Sequence, residues 1–167
     1  GDALLRDLPP WSDRLDAYPD LARFGGVCEP FEYLWRIIGS ENALTWMAEC
    51  PQLLEPFVHR LGQHLVAFTA AQIEAARGRL SGMYIWGDVA YRKGMFFSPR
   101  IWREWFLPHV KAMIDTCHAH GLMVVYHGCG NALPIFEDLV AAGLDAYNPL
   151  EAKAGLDVVQ LKQRFAR

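Results

Sequence analysis

The sequence has no long apolar run and no cluster of basic residues, and each absence removes a class of function. No segment approaches the ~20 uncharged residues that a bilayer-spanning helix needs, so no membrane role is expected. The 16 Lys and Arg against 19 Asp and Glu give a net charge of -3. Without a basic stripe there is no electrostatic footprint for nucleic acid. A basic-then-apolar leader with a small-residue cleavage site is missing from the chain as it stands. Gly1 rather than Met opens it, so the expectation is that the natural N-terminus lies outside the sequence. Cysteine is sparse and irregularly spaced, 4 in 167 residues, which is no disulfide framework. Cys28, Cys50 and Cys117 read as buried reduced thiols of a cytoplasmic protein. No Gly-rich phosphate fingerprint follows the clearest strand, which disfavours a dinucleotide-binding sheet.

Apolar material is plentiful: a hydrophobic share of 52% suffices for one core, and a single domain over residues 1–167 is expected. Its two parts differ in texture, mainly helical over 1–80 and alternating strand and helix over 81–167. Asp2 to Phe24, broken by Pro9, Pro10 and Pro19, reads as helical turns and loop. Gly25 to Pro30 reads as loop or the end of a short strand. Helices are predicted from Pro30 to about Ile38, stopped by Gly39, and from a Ser40 cap to Cys50. Another runs from Pro51 to about Arg77, with Leu54, Val58, Leu61, Leu65, Phe68 and Ile73 on one apolar face. Met83–Trp86 is a strand ending at Gly87-Asp88. Ser98-Pro99 starts a helix to about His120, with Trp102, Trp105 and Phe106 at core spacing. Leu122–Tyr126 and Ala146–Asn148 are further strands, separated by a helix that Asn131 caps and Gly143 ends. Asp157, with Gln160 three residues on, caps a last helix in a capping-box pattern.

Strands alternating with helices imply parallel pairing, in a doubly wound sheet or a closed eight-fold barrel. Three clear strands and a possible fourth cannot close a barrel, which takes ~250 residues. The expected fold class is therefore α/β of the (β/α)8 barrel type, incomplete, with only its middle units present. A part-barrel exposes strand edges, from which self-association is expected.

The chemistry gathers at the strand ends, which share one face in a parallel sheet. Met123 to Tyr126 carries His127, Gly128 and Cys129 to its C-terminal end. Imidazole and thiol two residues apart on extended backbone can face one point, and this donor pair suits zinc. It is half a site, since zinc takes at least three protein ligands. Asp88 ends the preceding strand; Asn148 and Glu151 follow the next. Asp88 and Glu151 are candidate catalytic groups or further ligands, and Asn131 and Asn148 candidate substrate contacts. Each also has a structural role open to it: a turn cap for Asp88, a helix cap for Asn131, backbone satisfaction before Pro149 for Asn148, a solvated loop for Glu151. His118 and His120 suit a helix C-terminus. His59 and His64 have no evident partner. Arg92 and Lys93 lie near Asp88, where an anionic substrate could meet them.

Gly87-Asp88, Phe97-Ser98-Pro99, Trp105-Phe106-Leu107-Pro108, His127-Gly128-Cys129-Gly130-Asn131 and Ala142 to Pro149 together resemble the uroporphyrinogen decarboxylase superfamily. The likeness spans roughly residues 25 to 167 and is strongest to the branch of zinc-dependent, corrinoid-linked methyltransferases. That resemblance implies a (β/α)8 barrel in which a His-x-Cys pair and a later Cys hold zinc, and the metal activates a thiol for methyl transfer. His127 and Cys129 match the pair, and the later Cys would lie beyond Arg167. A small-molecule substrate and a corrinoid carried on a partner protein follow from the same likeness. Porphyrinogen decarboxylation, a metal-free lyase reaction, is the alternative. Decarboxylases share the Ser-Pro helix start and the Phe-Leu-Pro segment, but lack the His-x-Cys pair and place their aspartate on an early strand not evident here. A non-catalytic assembly module is the third reading.

Overall fold

A computed structural model describes residues 15, 16 and 19–165. The turns expected around Pro9 and Pro10 lie outside the described residues. Four strands form one parallel sheet: β1 (Phe24–Cys28), β2 (Gly82–Trp86), β5 (Met123–His127) and β6 (Ala146–Asn148), in the spatial order β1-β2-β5-β6. Between β2 and β5 a short antiparallel hairpin pairs β3 (Ala90–Tyr91) with β4 (Gly94–Met95). Spatial order follows chain order without the reversal that marks a doubly wound sheet.

The burial pattern agrees. Met83, Ile85, Val124 and Tyr126 are wholly buried on one face of the sheet. The alternate residues Phe24, Trp86 and Met123, on the other face, are 38%, 40% and 49% exposed. One covered face and one open face is the arrangement of a barrel wall, whose inner side faces its own axis. No closed barrel is present among the described residues.

The helices that cover the first face begin and end where glycine and proline allow. Pro30 opens α1 (Pro30–Ile38) and Gly39 stops it at φ 85°. Ser40 does not cap α2 (Ser40–Glu49): the cap position belongs to Gly39, which has no side chain to bond the first amides. Pro51 opens α3 (Pro51–Ala76). Its buried stripe is Leu54, Val58, Gly62, Leu65, Thr69 and Ile73, and the expected Phe68 points outward. The stripe crosses α5 (Leu107–His118) where Gly62 leaves room for the His109 ring. There His59 Nδ1 lies 2.9 Å from His109 Nε2, a partner on a helix fifty residues away.

Ser98 caps the helical run that begins with α4 (Pro99–Ile101), its hydroxyl accepting from the Ile101 amide at 3.3 Å. The run widens into a π-helical stretch, Trp102–Phe106, before α5. The expected core aromatics Trp102, Trp105 and Phe106 are buried there. After β5, a 3-10 turn (Leu133–Ile135) leads into α6 (Phe136–Ala141). Asp157 caps α7 (Val158–Phe165) by accepting from the Val159 and Gln160 amides at 2.8 and 3.1 Å. Gln160 turns back to the Asp157 carboxylate, at 3.5 Å, so only half of the capping box forms.

β1 lies inside the mainly helical part, where Gly25 to Pro30 reads as loop or the end of a short strand. Glycine weakens a strand interior, and two stand side by side in β1. Here a Cβ on Gly26 would lie 2.3 Å from the Trp86 ring, so the glycine makes space for an indole laid across β1. Among the described residues no helix is long and apolar enough to cross a membrane.

Candidate metal centre

The parallel register sets Cys28, Trp86, His127 and Asn148 level at the ends of the four strands. Past this line each chain turns away, and the turns carry the polar groups. The Gly87 amide donates to the His127 carbonyl at 2.7 Å, and the Gly128 amide to Asn148 O at 2.9 Å. These bonds extend the ladder by one rung and then release Asp88 and Cys129 toward each other.

Asp88, His127 and Cys129 meet there. Cys129 Sγ is 3.7 Å from His127 Nε2, and Asp88 Oδ1 is 4.0 Å from the same nitrogen. All three donor atoms lie within 4.8 Å of one another. Tetrahedral zinc with bonds of 2.0–2.3 Å separates its ligand atoms by roughly 3.3–3.6 Å, so a small inward movement brings this set to that spacing. One thiol, one imidazole and one carboxylate are a suitable donor set for zinc.

The shell around the donors is ordered. The Asn148 side-chain oxygen can only accept, so His127 Nδ1, 2.9 Å away, carries the proton and donates it. That leaves the Nε2 lone pair facing Asp88 and Cys129. Asp88 Oδ1 accepts the Cys129 amide at 2.7 Å, which ties carboxylate and thiol segment together. Burial pushes the Cys129 thiol above its ordinary range, and the charges of Asp88 and Glu151 push it further. Without a cation, Cys129 is therefore a protonated thiol at neutral pH; a bound cation supplies the opposite field.

Glu151 Oε2 accepts the Gly130 amide at 2.6 Å, and Oε1 pairs with Lys153 Nζ at 3.0 Å. The Gly130 amide, then Lys153, holds its carboxyl below the ordinary range, so it is ionised and weakly basic. Asn131 turns into its own loop, its side-chain oxygen accepting from the Leu133 amide at 3.2 Å. Its amide donates to Tyr91 O at 2.9 Å, which clips the hairpin onto this loop. Arg92 reaches across to the Lys153 carbonyl at 3.1 Å. His118 binds Asp145 at 2.9 Å, away from the donors.

One group at this end of the sheet escaped the sequence reading. Glu29, the first residue past β1, is fully buried, and burial pushes its carboxyl up to about 8 against the pull of hydrogen bonds from Tyr126 and Trp102. The available signal was positional: an acid between a strand and a proline-initiated helix stands at a strand end, as Asp88 and His127 do.

The uroporphyrinogen decarboxylase (URO-D) family model matches residues 14–161. No curated protein matches the chain. Among solved structures, a methyltransferase from Methanosarcina mazei aligns with a TM-score of 0.60 at 22% identity, over 80% of this chain and 37% of that one. At that identity the likeness is one of fold, and this chain spans little more than a third of the solved one.

Proposed function

This chain belongs to the uroporphyrinogen decarboxylase family, and from that premise we propose that it serves zinc-dependent transfer of a methyl or other alkyl group to a thiol. The family domain is a (β/α)8 barrel, of which the four parallel strands form an arc. The observation that carries the reading is the convergence of Asp88, His127 and Cys129 donors within 4.8 Å at the ends of neighbouring strands. His127 Nε2 and Cys129 Sγ would hold the ion, with Asp88 as third ligand. Bound zinc lowers the pKa of a coordinated thiol, so that a thiolate is present at neutral pH.

The chain's own residues prepare that chemistry. Asn148 fixes the His127 tautomer. Cys129 must give up its proton on loading; burial raises its pKa first, and the charges of Asp88 and Glu151 that raise it further also attract a cation. Glu151, already ionised, adds negative charge near Gly130 without competing for that proton. A small-molecule thiol acceptor and a corrinoid protein as methyl carrier are the partners this reading calls for.

Incubating the full-length protein with a methylated corrinoid and a small thiol tests it. A thioether product that disappears in Cys129→Ala and after chelation is the expected result. The family's own name favours a second reading, metal-free decarboxylation of a porphyrinogen. Carbon dioxide release from uroporphyrinogen, unaffected by Cys129→Ala, would establish that reading and end the first.

A further inference from the structure

Beneath the Asp88 turn, three strand ends are joined by side chains outside the donor set. The Glu29 amide continues the ladder, donating to Trp86 O at 2.7 Å. Its carboxyl then reaches under β2 to β5, where Oε2 lies 2.9 Å from the Tyr126 hydroxyl; the Trp102 indole donates to Oε2 at 3.4 Å. Glu29 Oε1 is buried with no hydrogen-bond partner among the described residues. The same Tyr126 hydroxyl is 3.1 Å from the Gly87 carbonyl. A Cβ on Gly87 would stand 2.0 Å from that hydroxyl, so the peptide before Asp88 rests directly on the phenol.

The proton count explains why an acid sits here. One phenol hydrogen faces two acceptor oxygens, Glu29 Oε2 and Gly87 O. If Glu29 is protonated on Oε2, its O–H bonds the phenol oxygen while the phenol O–H bonds Gly87 O, and both contacts are satisfied. Gly87 is then held at both ends, its N–H on His127 O and its C=O by the Tyr126 hydroxyl beside the Val89 amide, which donates to the same oxygen at 2.9 Å. The next residue is Asp88.

We propose that Glu29 and Tyr126 are positioning residues for the cation site, holding Asp88 through the Gly87 carbonyl at the distance from His127 and Cys129 at which the three can share one ion. The proposal rests on reading those three residues as ligands. Outer groups that orient a ligand change metal affinity about 10–100-fold when removed.

The test is titration of the metal-free full-length protein with cobalt(II), read by the thiolate charge-transfer band and the d–d bands that report coordination number. Tyr126→Phe keeps the ring and should weaken cobalt binding about 10-fold, with d–d intensity falling as it does in Asp88→Asn. Glu29→Gln, whose amide can donate to the phenol at the loss of the long Trp102 indole contact, should stay within about twofold of wild type, and Glu29→Leu should match Tyr126→Phe. Adding Tyr126→Phe to Asp88→Asn should cost nothing further. Losses that add in the double variant, or a Tyr126→Phe protein that binds like wild type, overturn the positioning role and leave the ligand reading standing. A wild-type protein that takes up no cobalt overturns both.

Discussion

Replacing Glu29 with Gln should stabilise the protein progressively as pH rises. The carboxyl is wholly buried, and its pKa is pushed from 4.5 up to about 8. With the folded pKa above the unfolded one, the unfolded chain releases this proton first. The stability Glu29 contributes is therefore complete below pH 4.5 and is lost as pH rises toward about 8. Each pH unit in that window costs about 1.4 kcal/mol, so the full loss is of order 5 kcal/mol. Against a total of about 5–15 kcal/mol for an ordinary domain, that is a large share. Gln keeps the shape and does not ionise, so the difference between the two proteins isolates this group. Urea unfolding of both at about pH 5 and about pH 8 measures it. The variant should be close to wild type at the lower pH and more stable by several kcal/mol at the higher one. Stability curves that run parallel with pH would show that Glu29 is ionised in the folded state, and the argument from its burial would be wrong.

Three further outcomes follow from the same geometry. Asn148→Ala frees the His127 tautomer and should weaken zinc binding about 10–100-fold in a chelator competition while leaving the fold intact by circular dichroism. Zinc uptake should release the Cys129 proton, so affinity should rise about tenfold per pH unit through the neutral range and fall as pH is lowered, with proton release measurable by calorimetry in buffers of different ionisation heat. Gly26→Ala places a Cβ 2.3 Å from the Trp86 ring and should cost about 1–3 kcal/mol in thermal unfolding, unless the indole leaves β1.

Local signals made most of the fold legible. β2, β5 and β6 are apolar runs ended by turn residues, and Ser98-Pro99, Pro51, Gly39 and Asp157 mark helix ends by mechanisms that act within a few residues. What the sequence hid depends on neighbours far along the chain. β1 contains Gly25 and Gly26, which argue against a strand until Trp86 is known to lie over them. The π-helical stretch leaves no trace, because Trp102, Trp105 and Phe106 have the same spacing on an α-helix. His59 has no visible partner because His109 belongs to another helix. At the strand ends, the residue types at Asp88, His127 and Cys129 could be read, and the i, i+2 spacing gave the imidazole and thiol a common direction. The Asp88 contact with the Cys129 amide, and the support from Glu29 and Tyr126, arise only from the register of three strands.

Metal content of the purified full-length protein bears on the cation site most directly. The expectation is one zinc per chain in the wild type, lost in both His127→Ala and Cys129→Ala while the helical signal is unchanged. A protein that is fully active without metal, or one that keeps its zinc after Cys129→Ala, would contradict it.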